Sequence, residues 1–154
     1  MTGEGLTIYV DADACPVKAE VIKVAERYQV RVHMVSNSGM RLPHGHPLLS
    51  QTVVPDGPDV ADDWIAEHVG PGDIVITADI PLAQRCLEKQ AAPLGPSGKP
   101  FTTDGIGMAM AMRDLKAHLR ETGEMTGGAP PFSQKDRSRF LSALDQAVQK
   151  ARRR

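Results

Sequence analysis

Carboxylates follow two of the most apolar segments of the chain, at the points where predicted strands end. Asp11 and Asp13 come directly after the apolar run 6–10. Asp79 comes directly after a second run, 73–77. In a parallel sheet, neighbouring strands lie about 4.8 Å apart and their carboxyl ends form the edge where ligands bind. If the two strands are neighbours, these three carboxylates share one site.

Further acidic residues begin predicted helices. Asp62 and Asp63 lie in the first turn of a helix predicted at 60–69, and the sequence does not choose between them. Asp104 precedes a helix predicted at 105–119. Clustered carboxylates repel one another, and a hard cation such as Mg²⁺ or Mn²⁺ relieves that repulsion while leaving room for a substrate phosphate. The sequence therefore predicts an acidic metal site suited to phosphodiester hydrolysis, drawn from Asp11, Asp13, Asp62, Asp63, Asp79 and Asp104.

Helix capping is the competing explanation for several of these residues. Asp13, Asp62 and Asp63 all lie where a negative charge complements a helix dipole. Asp104 follows two threonines and can act with them as a cap. Asp11 and Asp79 are less easily explained in this way, because each follows a strand at the expected ligand crevice.

Polar and basic residues near the same edge are candidates for binding phosphate. Ser36 and Asn37 follow a strand predicted at 30–35, where they can bind phosphate or simply form a turn. The basic candidates are Lys18, Arg113 and Arg137, although a solvated surface explains any one of them.

Composition bounds the class of protein. The chain has 154 residues with 18 Lys+Arg, 19 Asp+Glu and a formal net charge of -1, which excludes a strongly basic nucleic-acid-binding surface over the whole chain. Two cysteines do not make a disulfide scaffold. Neither a secretory signal nor an apolar run long enough to span a membrane is recognisable, so the expected location is the cytoplasm.

Alternating strand and helix patterns predict one α/β domain over 1–154, with a mostly parallel central sheet flanked by helices. A weak strand is expected at 51–54, after a long loop at 36–50. The methionine-rich helix at 105–119 is expected to be mainly core with one exposed face. A Gly/Pro-rich loop at 122–132 precedes a C-terminal helix capped by Ser133, and a basic tail follows at 150–154.

Four segments, IYVDADACPVK, VVPDGPDVADDWIAEH, GDIVITADIPLA and GGAPPFSQKDRSRF, resemble the signature segments of the YaiI/YqxD family. The resemblance covers nearly the whole chain in order. It implies a PIN-like Rossmannoid fold, related to the PIN and NYN nuclease domains that cut RNA with Mg²⁺ or Mn²⁺. On that basis Asp11 takes the role of the first-strand aspartate, Asp79 that of the aspartate after the central strand, and Asp62 or Asp63 supplies the helix carboxylate.

The predicted function is a Mg²⁺- or Mn²⁺-dependent nuclease acting on RNA or another phosphate-containing substrate, with the catalytic set Asp11, Asp13, Asp63 and Asp79. One alternative is a noncatalytic RNA- or nucleotide-binding module. Another is a phosphatase similar to the haloacid dehalogenases, in which Asp11 would be the nucleophile and Asp13 the acid/base. The expected downstream lysine and acidic pair are not recognisable. The sequence predicts neither the oligomeric state nor the metal preference.

Overall fold

A computed structural model describes residues 6–39, 45–123 and 132–153. Within these ranges five parallel strands form one sheet in the order β3-β2-β1-β4-β5. The strands are β1 (Thr7–Asp11), β2 (Arg31–Ser36), β3 (Leu49–Val53), β4 (Ile74–Ile76) and β5 (Ala92–Leu94). The helices are α1 (Lys18–Tyr28), α2 (Val60–His68), α3 (Ile80–Glu88), α4 (Ile106–Glu121) and α5 (Gln134–Arg152), and a short 3₁₀ helix, Ala12–Ala14, follows β1.

The sheet is buried on both faces, as parallel sheets generally are. On one face, Ile8 and Val10 of β1 pack with residues of α1 and α5, including the fully buried Phe140. On the other face, Val75 of β4 packs with residues of α2 and α3, including the buried Leu82. The prediction of an α/β domain with a parallel central sheet is confirmed.

The order of the strands reverses at β1. From β1 the chain builds β2 and β3 on one side of the sheet, and then returns to place β4 and β5 on the other. Such a reversal leaves a crevice between the two central strands at their carboxyl ends, where open α/β sheets bind ligands. Asp11 is the last residue of β1 and therefore lies at this crevice.

Element boundaries differ from the predicted ones mainly around the edge strand and the helix starts. The third strand begins at Leu49, so the predicted loop at 36–50 is shorter than expected. Asp59 stands at the N-cap position of α2, but its φ of 66° is left-handed and its side chain makes no capping hydrogen bond. Ser133 caps α5 with Asp136 as a complete capping box. Residues 124–131 of the predicted loop lie outside the described part of the chain.

The prediction that the methionine-rich helix is mainly core is wrong. Ile106 is the buried residue of α4, whereas Met108, Met112 and Leu115 have 69%, 44% and 48% of their surface exposed. Among the described helices, none has both the length and the apolar character needed to cross a membrane.

Gly98 offers a test of the packing beside the crevice. Its φ of +93° is one that side chains rarely adopt, and a Cβ there would lie 2.9 Å from the carbonyl oxygen of Arg139 in α5. We expect Gly98→Ala to lower the free energy of unfolding by about 2 kcal/mol, measured by urea denaturation. Gly107 of α4 is the matched control, because a Cβ there meets open space and alanine favours a helix. Equal stability of the Gly98→Ala variant and the wild type would contradict this packing.

Candidate active site

A cleft of about 250 Å³ opens at the carboxyl ends of the two central strands. It lies at the reversal of strand order described above. Its lining combines two carboxylates, a hydroxyl and a thiol with apolar surface, from Asp11, Cys15, Ile76, Thr77, Ala78, Asp79 and Pro96. Of the three carboxylates predicted to share one site at the strand ends, Asp11 and Asp79 line this cleft and Asp13 does not.

Thr77 fixes both of these carboxylates. Its hydroxyl donates to Oδ2 of Asp11 at 2.9 Å and accepts from the backbone N–H of Asp79 at 3.0 Å. The residue is buried, with 2% of its surface exposed, so the hydroxyl has little competing water. Sequence reasoning missed Thr77; the signal it could have used is a hydroxyl residue between an apolar strand and an acidic helix start.

Asp79 is also a helix cap. Its Oδ1 accepts from the backbone N–H of Leu82 at 2.8 Å, and Pro81 occupies the first turn of α3. The capping explanation considered for other aspartates therefore applies to Asp79. The cap uses one oxygen and orients the carboxylate, which leaves its second oxygen for other partners.

Asp62 joins this pair from α2. Burial, the charges of Asp79, Asp11 and Asp59, and a side-chain hydrogen bond with Asp79 together raise the pKa of Asp62 to about 7, and burial is the largest of these causes. A carboxyl group with this pKa is about half protonated at neutral pH. When protonated, Asp62 can donate to the carboxylate of Asp79, which relieves the repulsion between the two groups.

Asp63, the alternative helix carboxylate, turns away from the cleft. Arg85 of α3 donates to its Oδ1 at 2.7 Å, and 55% of the Asp63 side chain is exposed. Asp62 instead precedes the buried Ile65 and Ala66 by three and four residues, which places it on the inward face of α2. The structure therefore brings Asp62, and not Asp63, to the other carboxylates.

Asp11 is coupled to its acidic neighbours. Burial raises its pKa, the hydrogen bond from Thr77 opposes that increase, and the charges of Asp79 and Asp13 raise it further. Asp13 is exposed on the β2 side of the edge, where the backbone N–H of Asn37 donates to its Oδ2 at 2.9 Å. The NH₂ group of the Asn37 side chain, in the orientation that satisfies both residues, lies 3.3 Å from both Asp13 oxygens.

Two other predicted residues are not part of this cluster. Asp104 lies in an exposed turn before α4, and it is not among the charges that act on Asp11 or Asp62. Ser36 is buried, and its hydroxyl donates to the carbonyl of Ser38 at 2.5 Å, where it closes a turn.

The predicted basic residues have local partners. Lys18 donates to the carbonyl of Cys15, a residue that lines the cleft, at 2.9 Å. Arg137 donates to the carbonyl of Pro16 at 2.7 Å and so joins α5 to the start of α1. Arg113 is exposed on α4 beside Asp114.

The donor set fits a hard divalent cation held partly by water. In the described ranges, no three acidic, histidine or cysteine groups are arranged to close on one ion. Mg²⁺ is usually held by one or two carboxylates, with water and substrate completing its shell. The adjoining carboxyls of Asp62 and Asp79, with Asp11 beside them, supply donors of that kind.

Thr77 allows the organisation of the cleft to be tested without removing a carboxylate. Thr77→Val leaves an Asp11 oxygen and the Asp79 amide without their shared partner, so we expect the free energy of unfolding to fall by about 1–3 kcal/mol. Thr77→Ser keeps the hydroxyl and is the control. Urea denaturation of both variants measures the difference, and a loss of stability in Thr77→Ser with none in Thr77→Val would show that the methyl group, and not the hydroxyl, matters.

Comparison with known proteins finds a family model and several relatives that match most of the chain. Residues 9–150 match the family model described as "Uncharacterized BCR, YaiI/YqxD family". A UPF0178 protein of Parvibaculum lavamentivorans is 69% identical over 147 residues, which cover 96% of each chain. A UPF0178 protein of Rhodospirillum rubrum is 55% identical over 148 residues, covering 96% of this chain and 99% of the relative. No solved structure matches the chain.

Proposed function

The chain belongs to the YaiI/YqxD family, and from its acidic cleft we propose that it is a divalent-cation-dependent nuclease acting on RNA phosphodiesters. The observation that carries the proposal is that Asp11 and Asp79 line one cleft at the reversal of strand order, held by the Thr77 hydroxyl, with Asp62 of α2 close enough for the charges of both to act on it. Bringing three carboxyl groups from separate elements together lowers the stability of the fold. The raised pKa of Asp11 and of Asp62 reflects this cost. Such a cost is typical of functional sites.

The proposed roles follow from the contacts. Asp62 and Asp79 would hold Mg²⁺ or Mn²⁺, with Asp11 beside them, and the bound ion would stabilise charge on the phosphate oxygens. Thr77 keeps Asp11 and the start of α3 in position. Asp62 would be deprotonated in the cation-bound form, because a ligand to Mg²⁺ or Mn²⁺ binds as the carboxylate.

The contacts of Asp11 favour this role over that of a phosphatase nucleophile. In the described residues, the charges that act on Asp11 are those of Asp79 and Asp13, and no cationic side chain is among them. In a phosphatase similar to the haloacid dehalogenases, a lysine side chain is expected beside the nucleophilic aspartate. The arrangement is better suited to holding a positive ion.

Incubation of the full chain with end-labelled single-stranded RNA tests the proposed function. We expect shortened products with Mg²⁺ or Mn²⁺ and none with EDTA. RNA that is bound but not cut, with or without metal, would favour the noncatalytic binding module instead. If the chain neither binds nor cuts any of several RNA sequences, the proposal is overturned.

A further inference from the structure

Charged side chains of the described residues are distributed unevenly around the cleft. Exposed carboxylates stand on the side formed by β2, β3 and α2, from Asp13, Asp56, Asp59 and Asp63. Asp63 is paired with Arg85, and the charge of Asp59 acts on Asp62 in the cluster. Among the described residues that line the cleft, none is basic. A chain of phosphates that enters the cleft is therefore repelled on this side, and a basic surface must attract it elsewhere.

A turn after β5 joins the opposite side of the cleft to α5. Pro96 of this turn lines the cleft. The backbone N–H of Gly95 donates to the carbonyl of Lys99 at 2.9 Å and closes the turn. Between them, Gly98 packs so closely against α5 that a Cβ there would lie 2.9 Å from the carbonyl oxygen of Arg139. The part of α5 around Arg139 therefore lies beside the wall of the cleft.

The direction of α5 places its first half, and not its end, at the cleft. Near its start, Arg137 donates to the carbonyl of Pro16, which follows the cleft residue Cys15. Two turns farther along, Asp145 accepts from the hydroxyl of Tyr28 at the end of α1. Since α1 leads away from the edge of the sheet where β1 ends, α5 leads away from the cleft beside it.

Three basic residues stand together on this side of the cleft. Lys135 and Arg139 are four residues apart in α5 and so share one face of the helix, and Lys99 directly follows the glycine that packs against Arg139. All three are exposed. The side chains of Lys99 and Lys135 make no ion pair or hydrogen bond with another described residue, and Arg139 lies 3.6 Å from Asp136. We call Lys99, Lys135 and Arg139 the α5 basic strip.

We propose that the α5 basic strip binds the backbone of a single nucleic-acid strand, next to the phosphodiester that occupies the cleft. This inference rests on the proposed function, because the bound strand is the substrate. Exposed lysine and arginine side chains attract phosphates without reading the base sequence. A single row of charges suits one backbone, whereas a duplex would bring its second backbone toward the acidic side. The strand therefore leaves the cleft along α5.

Fluorescence anisotropy of a labelled single-stranded RNA of about 12 nucleotides, measured in EDTA, tests the strip without cleavage. We expect the double variant Lys99→Gln/Arg139→Gln to bind roughly tenfold more weakly than the wild type at about 50 mM salt. The slope of log affinity against log salt should become shallower by about 0.7 for each charge removed. Lys150→Gln/Arg153→Gln is the matched control, because it removes the same charge from exposed residues at the far end of α5 and should bind as the wild type does.

Several results would overturn the strip while leaving the nuclease proposal intact. One is equal weakening in both double variants, which would reveal an effect of net charge alone. Another is a Lys99→Gln/Arg139→Gln variant that binds as the wild type does. A wild type that cuts RNA with Mn²⁺ but does not bind it in EDTA, or that prefers a duplex of the same sequence, would also contradict the strip. A wild type that neither binds nor cuts RNA would overturn both proposals.

Cleavage kinetics with Mn²⁺ separate binding by the strip from a part in the chemistry. We expect Lys99→Gln/Arg139→Gln to raise KM for RNA and to leave kcat near the wild-type value, because the strip contacts phosphates beside the reacting bond. A fall in kcat with an unchanged KM would show that these side chains act at the reacting bond and would contradict the proposed role.

Discussion

Asp79→Asn is expected to abolish metal-dependent RNA cleavage, with a loss of at least about 10³-fold in rate. That factor corresponds to about 4 kcal/mol of transition-state stabilisation. Asparagine caps helices as well as aspartate does, so the hydrogen bond to Leu82 and the start of α3 should survive the change. The variant therefore removes charge from the cleft while preserving the fold, and the RNA assay with Mn²⁺ measures the result.

Asp63→Asn is the matched control for this prediction. It changes the same chemical group in the neighbouring helix, but Asp63 pairs with Arg85 outside the cleft. Exposed ion pairs of this kind contribute about 0–1 kcal/mol to stability. We expect near wild-type cleavage from Asp63→Asn, and a loss equal to that of Asp79→Asn would refute the assignment of Asp62 to the site.

Cation binding is expected to depend strongly on pH. Because the pKa of Asp62 is about 7, a proton competes with the cation below that pH and no longer does so above it. Affinity for Mn²⁺ should therefore rise as the pH increases, by roughly 30-fold between about pH 5.5 and 7.5 if one proton is displaced, and then level off. Calorimetry in buffers of different ionisation enthalpy measures both the affinity and the released proton.

Asp62→Asn should remove most of this pH dependence, because it has no proton to lose. The Asp63→Asn variant should retain the dependence of the wild type. Cation binding that releases no proton near pH 6 would show that the Asp62 carboxyl is not involved.

The outline of the site could be predicted because apolar strands and the acidic residues that follow them are adjacent in the sequence. Asp11 and Asp79 were found in this way. That β1 and β4 are neighbours could not be read from the strands themselves, because strand order depends on the connections between them. The predicted membership of the YaiI/YqxD family is confirmed.

Helical periodicity distinguishes Asp62 from Asp63. Asp62 lies on the same face as Ile65, Ala66 and Val69, three, four and seven residues later, and all three are buried. An acidic residue on the apolar face of a helix indicates a polar site beneath it. Asp63 lies off that face.

The misplacement of the methionine-rich helix has a different cause. An amphipathic pattern identifies the apolar face of a helix, but it does not show which element covers that face. In α4 the buried residue is Ile106, whereas Met108, Met112 and Leu115 are exposed. Whether the apolar face of a helix is buried depends on the elements that pack against it, and the local sequence pattern does not identify those elements.

Crystals of the full chain soaked in Mn²⁺ at about pH 8, where Asp62 is ionised, test the central claim most directly. The account predicts an anomalous peak in the cleft, about 2.1 Å from carboxylate oxygens of Asp62 and Asp79 and beside Asp11. The peak should be absent from crystals of the Asp79→Asn variant. A peak at Asp63 or elsewhere on the surface, or an unchanged peak in the Asp79→Asn variant, would contradict the account.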